Sequence, residues 1–158
     1  MRVTLLLVLG FFSFQAVAES PVISTQRLTM EYALQMAQGT IEACRKKGIQ
    51  VGVTVVDRNG QPQVMLRDVL APILTAEVSM KKAYTAAMFM ANTSALESQA
   101  NSSLAFMDNM MFSAGGIPIQ AGGQMYGGIG VSGAPGGDID EACAKEGIQS
   151  VIDDLEMM

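Results

Sequence analysis

The sequence predicts an α+β fold in which two antiparallel strand pairs are flanked by amphipathic helices. Three observations carry this. "IQVGVTVVDRNGQPQVMLRD" contains two apolar runs joined at Asn59-Gly60, a strong tight-hairpin signal. "GGIPIQAGGQMYGGIGVSG" repeats the pattern: Ile117 and Ile119 alternate, Ala121-Gly122-Gly123 turns, and Met125 to Val131 returns. Apolar stripes at steps of three and four residues flank both hairpins.

The chain has 158 residues, which suits one domain. Residues 1–18 read as a signal peptide. Arg2 supplies a short basic start, "VTLLLVLGFF" is apolar but too short to span a bilayer with ease, and Ala16-Val17-Ala18 is a small-x-small cleavage site. The mature domain is therefore expected over 19–158, beginning at Glu19, in a periplasmic or secreted protein. A retained anchor is the alternative. No later segment is long and apolar enough to cross a membrane.

Thr29 is placed to cap the first helix, with Glu31 in its first turn. Met30, Leu34, Ala37, Ile41 and Cys44 form its stripe, and "RKKG" closes it with cations and Gly48. After the first hairpin, "APILTAEVSMKKAYTAAMFMANTSALESQA" is rich in helix formers and predicts two helices broken near Asn92-Thr93. "NSSLAFMDNMMF" reads equally as a helical turn or a loop. Asp138 and Glu141 form a capping-box pattern for a final helix. Its apolar side carries Ile139, Cys143, Ile148, Ile152 and Leu155.

Cleavage would leave nine basic against fifteen acidic residues, a balance of −6. Such a chain has no footprint for a nucleic-acid backbone. The absence of histidine is more restrictive still. It removes Ser-His and Cys-His nucleophiles and the commonest zinc and haem ligand. No nucleophile–base pair is visible. Asp57, at the end of the first strand, reads as a turn residue, and Asp138, Asp140 and Glu141 as partners of a helix dipole.

Gly128, Gly130 and Gly133 match G-x-G-x-x-G, but a dinucleotide site needs those glycines after a first strand and at the start of a crossover helix. Here they lie within the return strand of a hairpin. The favoured reading is close approach of another backbone or a flat ligand to the sheet. "APGGD", before the final helix, reads as a tight strand-to-helix turn, or as a place for a small anion.

"LTMEYALQMAQGTIEAC" (28–44), "VTVVDRNGQ" (53–61), "KKAYTAAMF" (81–89) and "GGIPIQAGGQMYGGIGVSGAPGGDIDEACAKEGI" (115–148) together resemble the GlcG-like, or HbpS-like, haem-binding family, whose domain also forms the C-terminal part of PduO-type proteins. The resemblance implies a profilin-like fold with a five-stranded antiparallel sheet flanked by helices. It implies homo-oligomers, often hexamers or octamers, and haem or another tetrapyrrole as a ligand in haem- or iron-linked sequestration or redox sensing. Some relatives use a histidine on haem, and this chain has none.

With haem as the implied ligand, Tyr84 is the expected iron donor, since phenolate suits ferric iron. Lys82 (or Lys81) is placed to meet a propionate. The glycine pairs Gly115-Gly116 and Gly127-Gly128 would offer a flat surface to the ring. Tyr32 and Tyr126 are weaker alternatives. Met88, Met90, Met107, Met110 and Met111 read first as core filler, otherwise as soft donors to Cu(I) or a haem axial ligand. Cys44 and Cys143 are the only cysteines and lie on the apolar stripes of helices that pack on one sheet face in profilin-like folds. Either they form a disulfide, permitted by export, or they are two buried thiols. Two other functions stay open: a small-molecule enzyme with a pocket between subunits, and a structural oligomer with no ligand of its own.

Overall fold

The computed structural model describes residues 21–157. The expected signal peptide, 1–18, lies outside the described residues. Among those described, no helix is long and apolar enough to cross a membrane.

Helix α1 spans Met30–Lys46, with Glu31 in its first turn and Arg45 and Lys46 in its last. Each charge complements the helix dipole. Its buried face is Ala33, Met36, Ala37, Thr40, Ile41, Ala43 and Cys44. Met30, expected on the stripe, is 60% exposed. Strands β1 (Gly52–Asp57) and β2 (Pro62–Arg67) form the first hairpin. The Asp57 carboxylate closes it by accepting from the backbone N–H groups of Asn59 (2.8 Å) and Gln61 (3.0 Å). That is the turn role its position suggested.

Helix α2 spans Leu74–Phe89 and stops where Met90 takes a left-handed φ of 51°. The second α-helix expected beyond Asn92-Thr93 is instead two 3-10 segments, Thr93–Asn101 and Ser103–Phe106. Ser102 shows why. Its hydroxyl donates to Gln99 O and accepts from Leu104 N–H, so a short side chain competes with the α-helical ladder. Strands β3 (Gly116–Ala121) and β4 (Gln124–Ser132) form the second hairpin. The final helix is also divided, into α3 (Gly137–Gln149) and α4 (Ile152–Glu156). At the break the Ser150 hydroxyl donates to Gly147 O at 2.7 Å. Gly136 takes the N-cap position of α3, so the expected Asp138–Glu141 capping box does not form.

The four strands make one antiparallel sheet in the order β2-β1-β4-β3. A five-stranded sheet was expected; the described residues contain four strands. Residues 21–28 do not join the ladder. Side chains tie that segment down instead: Arg27 to Asp57 (3.2 Å), Tyr126 to Gln26 (3.3 Å) and Gln63 to Leu28 O (3.0 Å).

Alternation along the strands sorts the two faces. Val53, Val55, Ile129 and Val131 share the main core with α1 and α3, and all four are fully buried. Each contributes about 1.5–3 kcal/mol relative to exposure. A disulfide joins Cys44 of α1 to Cys143 of α3, with Cα atoms 5.5 Å apart and a sequence separation of 99. Closing a loop of that length is worth about 4–5 kcal/mol in the chain-entropy model. Thr54, Val56, Gly128 and Gly130 face α2, and Thr54 meets Ser79 at 2.8 Å. Here the glycines have a steric reason. A Cβ at Gly130 would collide with Ser79 O, and one at Gly128 with Ala83 O. The helix backbone lies directly on the strand, which only glycine permits.

Candidate functional site

The inward face of α2 is built from small residues, Ser79, Ala83, Ala86 and Ala87, with one exception, Lys82. Its ammonium is buried and donates to Val131 O and to Asp140 Oδ2, each at 3.0 Å. Gly115 makes the room: a Cβ there would stand 2.7 Å from Lys82 Nζ, and its φ of +120° disfavours any other residue. Asp140 lies in the first turn of α3, and its other oxygen accepts from Ala134 N–H at 3.0 Å. Burial pushes the Asp140 carboxyl above the usual carboxylate range, against the pull of Lys82 and Ala134 N–H. A buried pair of this kind is weak support for stability, because desolvation consumes most of the attraction.

The pair forms the wall of a cleft of about 670 Å³ between α2, α3 and the 132–137 loop. Glu141 is the next wall residue, 7% exposed. Its Oε1 accepts from Asn92 Nδ2 (3.0 Å) and Lys145 Nζ (2.9 Å), while its Oε2 has no hydrogen-bond partner. Burial raises its pKa, but Ser94, Lys145 and Asn92 outweigh that and hold the carboxyl below the usual range. No aromatic or large aliphatic side chain lines this cleft.

The outward face of α2 is different in kind. Glu77, Lys81, Tyr84 and Met88 follow at helical spacing, with Met80 beside them. The half-buried Tyr84 packs its ring on Gly60 of the first hairpin, where Met88 also arrives. One turn away, Met80 and Lys81 join Phe106, Met107 and Met110 around a groove of about 600 Å³. Phe106 is 90% exposed and Met107 53%. Lys81 pairs with Glu77 at 2.7 Å on the rim.

The residues singled out from the sequence thus divide between two places. Tyr84 is on the outward face, while Lys82 points to the opposite side of the helix and is engaged with Asp140. The lysine that accompanies Tyr84 is Lys81. Gly115 borders the Lys82 ammonium. Gly116, Gly127 and Gly128 are buried against protein backbone: that of Lys82, Val56 and Ala83 respectively. Tyr32 donates to Asp154 (3.3 Å), and Tyr126 is 2% exposed and donates to Gln26. Among the described residues no group of His, Cys, Asp or Glu is arranged to hold a metal ion. Sequence reasoning missed Glu141 and Asp140 as cleft residues. Acids at a helix start read as dipole partners, and nothing in the spacing marks two of them as buried.

No curated protein sequence matches the chain. Among solved structures, HbpS is 38% identical, with a TM-score of 0.77 over 85% of this chain and 96% of that one. A double mutant of Streptomyces reticuli HbpS is 36% identical, with a TM-score of 0.77 over 87% and 96%. A complex of PduOC with haem is 23% identical, with a TM-score of 0.73 over 79% and 95%, and shows a likeness of fold. The family model described as haem-degrading protein HbpS-like matches residues 28–149, almost the whole described domain, and the chain belongs to that family.

Proposed function

We propose that this protein binds haem or a related tetrapyrrole outside the cytoplasm, in haem- or iron-linked sequestration or redox sensing. The observation that carries the reading is the 36–38% identity to HbpS over 85–87% of the chain. The likeness of fold to PduOC, solved as a haem complex, agrees with it. The residues present fit the group on the outward face of α2. The groove is open and mixed in character: Met80, Phe106, Met107 and Met110 offer apolar contacts among Glu77, Asp108 and Asn109, and Lys81 would supply a cation for a propionate. With no histidine in the chain, the residue that would hold the iron is Tyr84, one turn along α2 from the groove and packed on Gly60, with a Met thioether as the alternative. Bound haem would supply the iron redox chemistry, and the protein would supply thioether and phenyl contacts, a cation and an oxygen donor.

Assembly belongs to the same proposal. Val69, Leu70, Ile73 and Leu74 are 59–79% exposed between β2 and α2, an apolar run that a homo-oligomer, hexamer or octamer, would cover. Titration of hemin into the purified, oxidised protein tests the ligand. A saturable Soret shift is expected, weakened by salt through the Lys81 contact. No shift sinks the haem reading. Sedimentation tests the assembly, and a species of single-chain mass alone contradicts it.

A further inference from the structure

The cleft between α2, α3 and the 132–137 loop is unsuited to a porphyrin, because no large apolar or aromatic side chain lines it. Its groups nevertheless converge. Lys82 spends two of its three ammonium hydrogens on Val131 O and Asp140, leaving one donor. Glu141, more than nine-tenths buried, has an oxygen with no partner. A buried carboxylate oxygen without a hydrogen bond is costly, because its desolvation goes uncompensated. Ser94, an exposed residue, lines the same cleft as Glu141 and contributes to lowering its pKa. At the start of α3, the Gly137 and Asp138 N–H groups precede the first backbone bonds of the helix, which begin at Ile139.

We propose that this cleft is a binding site for a small neutral polyol. Three features select that chemistry. The site offers acceptors (Glu141, Glu97) and donors (Lys82, the first N–H groups of α3) within one space, and a hydroxyl serves both. Carboxylates outnumber ammonium groups four to two along the wall, which disfavours sugar acids and phosphates. The absence of a flat apolar platform favours a compact chain of hydroxyls over a stacked ring. The buried Lys82–Asp140 pair then serves as a fixed wall that keeps its remaining donor aimed at the ligand.

The probes are ribitol and its acid counterpart ribonate, followed by amide chemical shifts of the whole oxidised protein. Ribitol is expected to give saturable millimolar shifts centred on 132–141. Ribonate should bind about tenfold more weakly, and Glu141→Gln should weaken ribitol by about tenfold. Should Glu141→Gln fail to fold, Ser94→Trp, an exposed change that fills the mouth, should abolish the same shifts. Three results overturn the proposal: no saturable ribitol shifts, shifts that survive Ser94→Trp or a folded Glu141→Gln, or ribonate binding as well as ribitol. None of these bears on hemin, whose expected seat is on the opposite side of α2.

Discussion

Helix α2 has two faces that obey different rules. The inward face touches β4 at backbone distance: Ser79, Ala83 and Ala87 on the helix match Gly128 and Gly130 on the strand, and the one long side chain, Lys82, is accommodated by Gly115 and neutralised by Asp140. The outward face carries Met80, Lys81, Tyr84 and Met88, all half-buried, with flexible thioethers where the other side has glycine and alanine. The first face leaves no room for change. The second is a surface still able to take a partner.

That contrast sets the sizes of mutational effects. Gly130→Val places branched carbons against Ser79 O and the Ala83 backbone. The expected cost exceeds about 4 kcal/mol, and urea denaturation should find no cooperative transition. Asp140→Asn leaves a buried ammonium with no counter-charge and should cost about 3–5 kcal/mol by the same assay. On the outward face Tyr84→Phe removes only a hydroxyl and should stay within about 1 kcal/mol of the parent. A Tyr84→Phe loss as large as that of Asp140→Asn would remove the distinction between the faces.

A smaller effect separates two buried aspartates by sign. Asp140 has a folded pKa raised above its unfolded value of about 3.9, chiefly by burial. The native state binds that proton more tightly, so its stability contribution is full below the unfolded pKa and is lost as pH rises through the folded one. Asp68 is the reverse. The Arg45 guanidinium, at 2.7 and 2.8 Å, lowers its pKa, so its contribution is present above the usual carboxylate value and fades as pH falls through the folded one. Urea midpoints between pH 3 and 6 should therefore lose part of their acid-side decline in Asp68→Asn. An unchanged acid slope in that variant would remove Asp68 from the account.

Much of the inward face was legible in the sequence. Alternating glycines within an otherwise apolar strand imply something pressed against it, and the helix opposite is small at the matching positions. The hairpins were legible from Asn59-Gly60 and Gly122-Gly123, and Cys44 and Cys143 stood on the right helical stripes, with the bridge left open against two free thiols. The fifth strand was implied by resemblance; in this chain residues 21–28 are held by side chains and not by a ladder. The 3-10 region escaped because the Ser102 side chain acts over two or three residues, below the reach of helical periodicity. The two sites escaped in part for a different reason. Neighbouring lysines, Lys81 and Lys82, look alike in sequence, yet one residue of register, about 100° around the helix, sends Lys82 to a buried carboxylate and Lys81 to the rim of an open groove.

The central claim is that haem sits on the outward face of α2 with Tyr84 as its iron donor. The most direct measurement is the visible and resonance Raman spectrum of the ferric hemin complex in the parent and in Tyr84→Phe, with urea denaturation confirming that the variant is folded. A phenolate-to-iron charge-transfer band is expected in the parent and should disappear in the variant. An identical haem spectrum in both proteins would contradict it.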